Sequence, residues 1–454
     1  MSNSASSISR IVRNATCTFC GCLCDDIHLT IQGDEGIERV VGIKGVENVN
    51  NGERITHAEN ACALGKTWFE AVSIPVNPSA PIASIKGREV DLAQAVDAAA
   101  QLLAGARAPL IYGLRDTTCE TQQQAVALAD LIGAGIDIAG AKGMARNAFL
   151  DGGESGATLG EVRNRADLIV YWGSNPEVSQ PRHMSRHVMP PGLLVPNGRS
   201  DRTVVVIDVR RTATAEAADI FVQVKPDSDF ELIWALRALL KGKSIGDNVE
   251  EATGVSLTTL QDLAARMKQC RYGVLFYGPG LTKNGQHFNA SALQTLTVEL
   301  NDHAHFVARP MRSGGNPGGA ENVLTWQTSY PFAVDFSHGY PRFNPGEFSA
   351  ADVLARGEVD AALIVAADPE THLPQAALTR LAQIPHIVLS ANPTAFSSAA
   401  SVAFTTATYG IHTAGTVYRN DGVTLRLRPA LSSPYPSDES ILLAIQKRIL
   451  NLQQ

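Results

Sequence analysis

The chain has 454 residues, which predicts roughly three domains at about 150 residues each. Its formal net charge is −7 and 18% of its residues are charged, so it lacks the basic composition of a nucleic-acid-binding protein. It shows neither an apolar signal-peptide core near its start nor an uninterrupted apolar run of about 18 residues. These features predict a soluble, cytoplasmic protein without membrane contact.

Four of the seven cysteines fall within eight residues near the N-terminus. The spacers between Cys17, Cys20 and Cys24 let a tight turn present three sulfurs to one centre, and the distant Cys62 supplies a fourth. This pattern favours an iron-sulfur cubane, with sulfurs within about 7 Å of one another. A tetrahedral zinc site is the alternative, and four metal-free structural thiols are the third. Cys22 lies between two ligands and is predicted to point away as a small buried side chain.

After the cysteine run, alternating polar and apolar residues over 27–46 predict a hairpin that turns at 33–36. Residues 70–88 are rich in proline and serine and predict a connector. Helical spacing returns over 90–103, where apolar residues form one stripe.

From there the pattern alternates between short apolar strands, polar loops and helices. Strands are predicted at 109–113, 167–173 and 203–208, and a second αβ unit has strands near 272–278 and 359–368. Such strands indicate parallel sheets that are buried on both faces. A β segment over 405–427 and a last amphipathic helix complete the chain.

Open parallel sheets bind ligands beyond the carboxyl ends of their strands, so loop residues at those ends are the candidate binding residues. Glycine lets the backbone approach a ligand, a carboxylate accepts hydrogen bonds, and arginines in a glycine-rich loop suit an anionic group. The candidates for binding a cofactor or an anionic carrier are Gly173, Asn175, Asp208, Arg210, Arg211, Thr212, Asp219, Lys225, Arg309, Arg312 and Asp368.

The cysteine motif together with these loops resembles the catalytic subunits of molybdopterin oxidoreductases. Segments 24–27, 60–65, 182–186, 329–332, 339–346 and 418–422 resemble the B subunit of formylmethanofuran dehydrogenase in particular, and the match covers nearly the whole chain. The resemblance implies an α/β fold without the C-terminal barrel of longer relatives. Its expected parts are a small iron-sulfur-type domain over 1–75 and two Rossmann-like domains over 76–250 and 251–454, the first of which can share elements with the other domains.

In this family the pterin-bound molybdenum or tungsten takes a cysteine ligand that is followed by histidine and glycine. Counting without gaps from the Cys119 loop to 164–167 places that motif at Ala141, Lys142 and Gly143. The resemblance therefore implies that the protein ligand and the neighbouring imidazole are lost. Cys119 and Lys142 are the speculative catalytic candidates. Cys119 could substitute as a ligand from a strand-end loop, or it could be a packing cysteine, which is favoured.

Because it lacks the cysteine ligand and the histidine, the chain most resembles the B subunit of the bacterial formyltransferase/hydrolase complex. The resemblance implies a complex for one-carbon (formaldehyde) oxidation that moves a formyl group from tetrahydromethanopterin to a methanofuran-type carrier and hydrolyses it to formate. The chain would be a non-redox scaffold that docks the carrier and assembles with amidohydrolase-like A, C and formyltransferase D subunits. It would hold a [4Fe-4S] cluster and no molybdopterin or tungstopterin.

Three alternatives stay open. The first is an active formylmethanofuran dehydrogenase subunit that interconverts CO2 or formate with formylmethanofuran. The second is a molybdopterin oxidoreductase of another substrate, and the third is an iron-sulfur electron carrier. His183 and His187 share one helical face by their spacing of four residues. A metal pair is one interpretation, and a surface or interface pair beside Arg182 and Arg186 is the favoured one.

Overall fold

The computed structural model describes residues 8–33, 53–73, 80–140, 156–246, 248–282, 287–312 and 314–454. Within these ranges the chain forms sheets of three, five and nine strands and a two-stranded hairpin. No helix in the described ranges has the length and apolar character needed to cross a membrane.

The strands, in chain order, are β1 Ile8–Ala15, β2 Ile27–Gly33, β3 Arg54–Glu59, β4 Ala83–Ile85, β5 Arg88–Glu89, β6 Pro109–Gly113, β7 Gly135–Ile138, β8 Leu168–Trp172, β9 Thr203–Asp208, β10 Ile220–Gln223, β11 Tyr272–Tyr277, β12 His305–Pro310, β13 Val334–Asp335, β14 Arg342–Phe343, β15 Ala361–Val365, β16 His386–Ser390, β17 Val402–Thr405, β18 Gly415–Tyr418 and β19 Thr424–Leu427.

The α-helices are α1 Ala63–Ser73, α2 Leu92–Gly105, α3 Cys119–Ile132, α4 Leu159–Arg165, α5 Pro176–Ser179, α6 Arg182–His187, α7 Ala213–Glu216, α8 Asp229–Leu240, α9 Asn248–Thr253, α10 Leu257–Gln269, α11 Pro279–Thr282, α12 His287–Leu300, α13 Pro317–Thr328, α14 Ala350–Ala355, α15 Pro369–His372, α16 Gln375–Leu381, α17 Ala395–Ser398 and α18 Asp438–Leu452. A short 3-10 helix spans Gly198–Asp201.

The N-terminal sheet is antiparallel, with β2 between β1 and β3. In β2 the buried side chains Ile27, Leu29 and Ile31 alternate with more exposed ones. They pack in one cluster with Phe69 of α1. The alternation is what a strand with one covered face requires. The predicted turn residues 34–36 lie outside the described residues.

The two larger sheets have parallel centres. The five-stranded sheet is parallel throughout, in the order β10-β9-β8-β11-β12. The nine-stranded sheet has the parallel centre β7-β6-β15-β16-β17 and antiparallel strands at both edges. Strands β6, β8, β11 and β15 are buried along their whole length. Their continuous apolar runs are therefore those of strands covered on both faces.

The two sheets are interleaved along the chain. Strand β11 pairs with β8, and β15 pairs with β6, so both pairings join segments on opposite sides of residue 250. The division predicted at 76–250 and 251–454 therefore does not separate the sheets. Strand periodicity shows that a segment is buried, but partners are chosen by packing between segments distant in sequence.

Each parallel sheet reverses its strand order at one point, where a crevice opens beyond the carboxyl ends. In the five-stranded sheet that point lies between β8 and β11, and in the nine-stranded sheet between β6 and β15. At the first point Gly173 has φ 55°, and a Cβ there would lie 2.7 Å from the Leu281 amide nitrogen. Only glycine permits this close approach of the two loops.

Candidate functional site

The cysteine loop brings five thiols around one small cavity. Cys17, Cys20, Cys22, Cys24 and Cys62 all line it, and the structure has all seven cysteines as free thiols. The loop folds back on itself, because the Cys17 amide donates to the Cys24 carbonyl at 2.9 Å. The four predicted metal ligands thus lie together, although only tertiary folding carries Cys62 to the others.

The position of Cys62 follows from the helix it precedes. Its carbonyl accepts a hydrogen bond from the Lys66 amide at 2.8 Å, and its sulfur accepts one from the Gly65 amide at 3.4 Å. A Cβ on Gly65 would lie 3.4 Å from the Cys17 sulfur and 3.8 Å from the Cys62 sulfur. A larger residue at 65 would therefore narrow the space between these two thiols.

Burial and mutual repulsion disfavour deprotonation of the Cys17 and Cys24 thiols. Burial raises the pKa of Cys17 above the usual range, and the neighbouring cysteines add to that effect. Burial also raises the pKa of Cys24, although Arg186 and Arg182 oppose it. The Cys22 thiol, as a hydrogen-bond partner, lowers the pKa of Cys20 to about 7. A bound cationic centre would hold such thiols deprotonated, so the donor set suits a metal group.

Within the described ranges, no group of three or more His, Cys, Asp or Glu side chains is arranged so that it could hold a metal ion. The four cysteines share a cavity without a preformed ligand geometry, so their metal site stays a prediction.

Two ion pairs fasten α6 to the loop directly after Cys24. Arg182 donates to both carboxylate oxygens of Asp26, at 2.6 and 2.7 Å, and Arg186 donates to Asp25 at 3.0 Å. Burial opposes ionisation of Asp26, but the Arg182 hydrogen bond and both guanidinium charges hold its pKa below the usual value. The two arginines lie four residues apart and so face the same carboxylate pair.

A second face of α6 is buried. His183 and His187 are 1% and 7% exposed, so the surface pair in the favoured interpretation, which was a surface or interface pair, was wrong. His183 packs edge-on against Tyr171 and Phe276. In the part of the chain that the structure describes, neither histidine Nε2 has a hydrogen-bond partner. Burial lowers the pKa of His183 to about 4 and, with the His183 charge, that of His187 to about 3.

These two histidines predict a loss of stability in acid. Their folded pKa values lie below the ordinary value of 6.5, so the unfolded chain takes up protons first as the pH falls. Their contribution is complete above pH 6.5 and declines as the pH falls towards 4. By pH 5 the expected loss of unfolding free energy is about 2 kcal/mol for each histidine.

The measurement is urea unfolding at pH 7 and pH 5 for wild type and His187→Gln, with His303→Gln as an exposed control. His187→Gln should lose less stability between the two pH values than wild type, by about 2 kcal/mol. An equal loss in His187→Gln and wild type would show that His187 is protonated in the folded protein.

The hairpin of β18 and β19 closes the cysteine loop from the other side. The Asn420 amide donates to the Gly21 carbonyl at 3.0 Å, and a Cβ on Gly21 would overlap the Asn420 side chain at 2.0 Å. The Asp421 carboxylate accepts from the Leu159 amide at 2.6 Å. This turn therefore ties the cysteine loop to α4, which precedes the five-stranded sheet. These contacts give Asn420 and Asp421, in the motif segment 418–422, a structural role.

Cys119 occupies the first turn of a helix instead of the predicted loop. The helix begins after Thr118, whose hydroxyl accepts from the Thr121 amide. Cys119 is 2% exposed and its sulfur accepts from Asn316 Nδ2 at 3.6 Å. Burial raises its pKa to about 11, although Asn316 opposes this. These properties are those of a packing thiol, and they do not suit a ready thiolate ligand.

Ala141 and Lys142 lie outside the described residues, and Gly140 is the last described residue before them. Strand β7 ends at Ile138, and Gly140 follows it at the carboxyl edge of the nine-stranded sheet. A Cβ on Gly140 would lie 3.1 Å from Arg115 Nη1 and 3.5 Å from His372 Nδ1. Sequence reasoning missed both of these polar side chains, which follow β6 and β15.

Several predicted binding residues do meet at the carboxyl edge of the five-stranded sheet. Asn175 accepts from the Thr214 amide at 3.2 Å and from its hydroxyl at 2.8 Å, which joins the loops after β8 and β9. Thr212 caps α7 by accepting from the Ala215 amide. Asp208 ends β9 with a pKa raised by burial, and Arg210 beside it is exposed.

The remaining candidates do not form one anion site. Asp219 precedes β10 and accepts from the Val204 amide at 2.7 Å, so it lies at the opposite, amino edge. The other candidates each have a partner elsewhere in the chain. Arg211 pairs with Glu216, and Lys225 binds the Glu251 carbonyl. Arg309 donates to the Asn420 carbonyl, Arg312 pairs with Glu321, and Asp368 caps α15, which follows a strand of the nine-stranded sheet. Arg309 lies in β12, Arg312 follows that strand, and each of these two contacts joins it to another segment of the chain.

A larger cavity lies where β16 and β17 end. Its lining includes Ser390, Asn392, Thr405, His412 and Tyr435. Sequence reasoning missed this cavity, although a signal was present. Asn392 is followed by proline and lies two residues after β16, much as Asn175 is followed by proline and lies three residues after β8.

Several known proteins are similar to this chain, although no protein-family model matches it. The B subunit of the tungsten-containing formylmethanofuran dehydrogenase 2 of Methanocaldococcus jannaschii is 38% identical over 449 residues, which cover 96% of this chain and 98% of the relative. The chain belongs to the family of formylmethanofuran dehydrogenase B subunits. The resemblance inferred from the sequence is thus confirmed.

The chain is also similar to a subunit of a formyltransferase/hydrolase complex. The B subunit of the formyltransferase/hydrolase complex Fhc of Methylorubrum extorquens is 28% identical over 297 residues, 63% of this chain and 74% of the relative. A chain in the crystal structure of that FhcABCD complex with methylofuran matches with TM-score 0.68 and 24% identity, over 82% of this chain and 99% of its own.

Acetylene hydratase from Pelobacter acetylenicus matches with TM-score 0.62 and 13% identity, over 96% of this chain and 69% of its own. At these identities the two solved structures show a shared fold. The prediction of a mixed α/β fold with parallel sheets is thus confirmed.

Proposed function

We propose that the chain is a non-redox B subunit of a formyltransferase/hydrolase complex, in which it serves as a scaffold and docks the formyl carrier. The complex would move a formyl group from tetrahydromethanopterin to a methanofuran-type carrier and hydrolyse it to formate. The observation that carries this proposal is the sequence Ala141-Lys142-Gly143, which an ungapped count from the Cys119 loop aligns with the cysteine, histidine and glycine of the family's metal-binding motif.

The surroundings of that segment support the proposal. The alanine methyl group has no atom that can bind molybdenum or tungsten. Cys119, the thiol considered as a substitute, is buried in α3, and its pKa of about 11 disfavours the thiolate. Arg115 and His372 stand at the start of the segment, where polar groups could hold the carrier at the strand ends.

A second function, that of an active formylmethanofuran dehydrogenase, is favoured by the comparisons. The relative named as tungsten-containing shares 38% identity over nearly the whole chain, whereas the B subunit of the formyltransferase/hydrolase complex shares 28% over 63% of it. Sequence identity over a long alignment averages over all aligned residues, most of which serve the fold. The metal ligand is one residue, so its loss would change activity with little effect on identity.

We propose that a [4Fe-4S] cluster occupies the cysteine cavity. Cys17, Cys20, Cys24 and Cys62 would hold it. Their shared cavity and the charges of Arg182 and Arg186 beside Cys24 suit an anionic, thiolate-bound group. Such a cluster supplies one-electron transfer when bound. A zinc ion remains the alternative, and the iron content distinguishes the two.

The partners in this proposal are the other subunits of the complex, namely amidohydrolase-like A, C and formyltransferase D subunits. The solved relative is a complex of this kind, FhcABCD. Without a redox site of its own, the chain would contribute binding surface to such an assembly.

The test is metal analysis and a viologen-linked assay of formyl-carrier and formate oxidation on the purified complex. We expect less than about one tenth of an atom of molybdenum or tungsten per chain and no viologen reduction, with formyl-carrier hydrolysis intact. The same assay on Cys24→Ala controls for viologen reduction through the proposed cluster. Turnover with stoichiometric molybdenum or tungsten would overturn the proposal in favour of the dehydrogenase.

A further inference from the structure

A tight turn between α6 and β9 carries two leucines at its tip. Gly192 and Val195 form an antiparallel bridge, since each donates its amide hydrogen to the carbonyl of the other, at 3.1 and 3.3 Å. Leu193 and Leu194 are therefore the two central residues of the turn, and they are 80% and 48% exposed. Glycine, asparagine, aspartate and serine are the usual residues at such positions. A departure from turn chemistry of this kind is expected at a functional surface.

The turn is fastened to the rest of the fold, so its leucines are held out in water. The Leu194 amide donates to the Asn164 carbonyl at 2.8 Å, and the Leu193 amide donates to Asn164 Oδ1 at 3.1 Å. A Cβ on Gly192 would lie 2.0 Å from the Arg163 carbonyl oxygen, so only glycine allows this close approach. An apolar tip that is already ordered loses little conformational entropy when it binds a partner.

We propose that this tip docks another subunit of the complex, in an apolar pocket that has carboxylates at its rim. Because Leu193 is 80% exposed, the tip projects from the surface, and interfaces bury such apolar anchors in pockets of complementary shape. A single exposed leucine needs no partner, but two adjacent ones on an anchored turn form a small apolar patch. This inference rests on the proposed assembly with other subunits, and it adds the surface that holds one of them.

Arginine side chains beside the tip indicate the chemistry of the partner. Arg163 is exposed, and its Nε donates to the Pro191 carbonyl at 3.4 Å. Arg271 donates to the Leu194 carbonyl at 3.2 Å. Its side chain stays 65% exposed, although it also pairs with Asp167 at 3.1 Å. Guanidinium groups bind carboxylates through paired hydrogen bonds, so acidic side chains around the partner's pocket would complement this tip.

A second copy of this chain fits the tip less well than another subunit does. A two-fold contact is self-complementary, so it would bring Arg163 and Arg271 against the same arginines of the other copy. Like charges in close contact weaken association. The carboxylate of Asp201, which follows the turn, accepts from the Asn197 amide at 2.7 Å and from its side-chain amide at 2.9 Å, so it is already engaged within this chain.

The experiment compares the purified wild-type complex with one that carries both Leu193→Ser and Leu194→Ser. Serine is common in turns, so the double variant should keep the urea-unfolding midpoint of wild type. Native mass spectrometry on dilution should show that the concentration at half-dissociation rises about tenfold or more, because buried anchors carry much of the binding energy. Leu450→Ser is the matched control, since Leu450 is 42% exposed on α18, and it should dissociate like wild type.

Arg163→Glu tests the charge of the pocket. This variant should also dissociate at higher concentration than wild type, and the difference should shrink at high salt, because salt screens exposed charges. Dissociation of Arg163→Glu at the wild-type concentration would overturn the acidic rim.

Replacing Leu193 by photoreactive benzoylphenylalanine identifies the occupant directly. In the purified complex this chain should crosslink to another subunit, at a segment that contains both apolar and acidic residues. A crosslink between two copies of this chain would overturn the inference in favour of a homodimer contact.

The behaviour of wild type separates the two ways in which the inference can fail. If wild type purifies without other subunits, the proposed assembly has failed and the docking surface with it. If wild type assembles and the double serine variant dissociates at the same concentration, the tip is not a docking surface while the assembly stands.

Discussion

Replacing Cys24 by alanine is expected to remove most of the iron and acid-labile sulfide from the anaerobically purified protein. Cys24 is 6% exposed and lines the cavity with the other proposed ligands. The Cys24 carbonyl accepts from the Cys17 amide, so alanine at this position keeps the turn and removes only the thiol. We expect a fall from about four iron atoms per chain to below one.

The matched control is Cys270→Ala, which removes a thiol far from the cavity. Cys270 lies between α10 and β11, where its sulfur donates to the Met267 carbonyl at 3.3 Å. This variant should keep its full iron and sulfide content. Retention of both by Cys24→Ala would show that Cys24 is not a ligand, and stoichiometric zinc in wild type would favour the tetrahedral site.

The second large effect is expected from Arg202→Met, which should lower the unfolding free energy by about 4 kcal/mol. Arg202 is 4% exposed, and its guanidinium donates to four backbone carbonyls, at 3.1 Å to Ala166, 2.5 Å to Val188, 2.9 Å to Pro190 and 2.5 Å to Arg163. Methionine keeps the apolar stem but leaves these carbonyls without their charged donor, and each such loss costs about 1 to 3 kcal/mol before relaxation.

The measurement is urea unfolding followed by tryptophan fluorescence, because Trp172 lies fully buried in the same five-stranded sheet. Arg266→Met is the control. Arg266 pairs with Asp262 on the exposed face of α10, at 2.8 Å, and its loss should change stability by less than about 0.5 kcal/mol. Equal effects of the two variants would mean that water satisfies the carbonyls around Arg202.

Much of the local structure could be predicted from the sequence. Apolar runs such as those of β6 and β8 have the length and composition of buried strands, and α2, which spans Leu92–Gly105, begins within two residues of the start predicted over 90–103. The spacing of Cys17, Cys20 and Cys24 confined their sulfurs to one turn. These features depend on neighbours within a few residues, so the chain alone carries them.

The tertiary structure decided the rest, because it depends on which distant surfaces meet. Pairing of β8 with β11 crosses the boundary expected at residue 250. The same packing buries His183 on the inner face of α6 and engages Arg312 with Glu321 inside the fold. A charge or an imidazole in a sequence has no assigned partner until folding sets the distance and the dielectric around it. For Cys22, that partner is Gln180, 158 residues away.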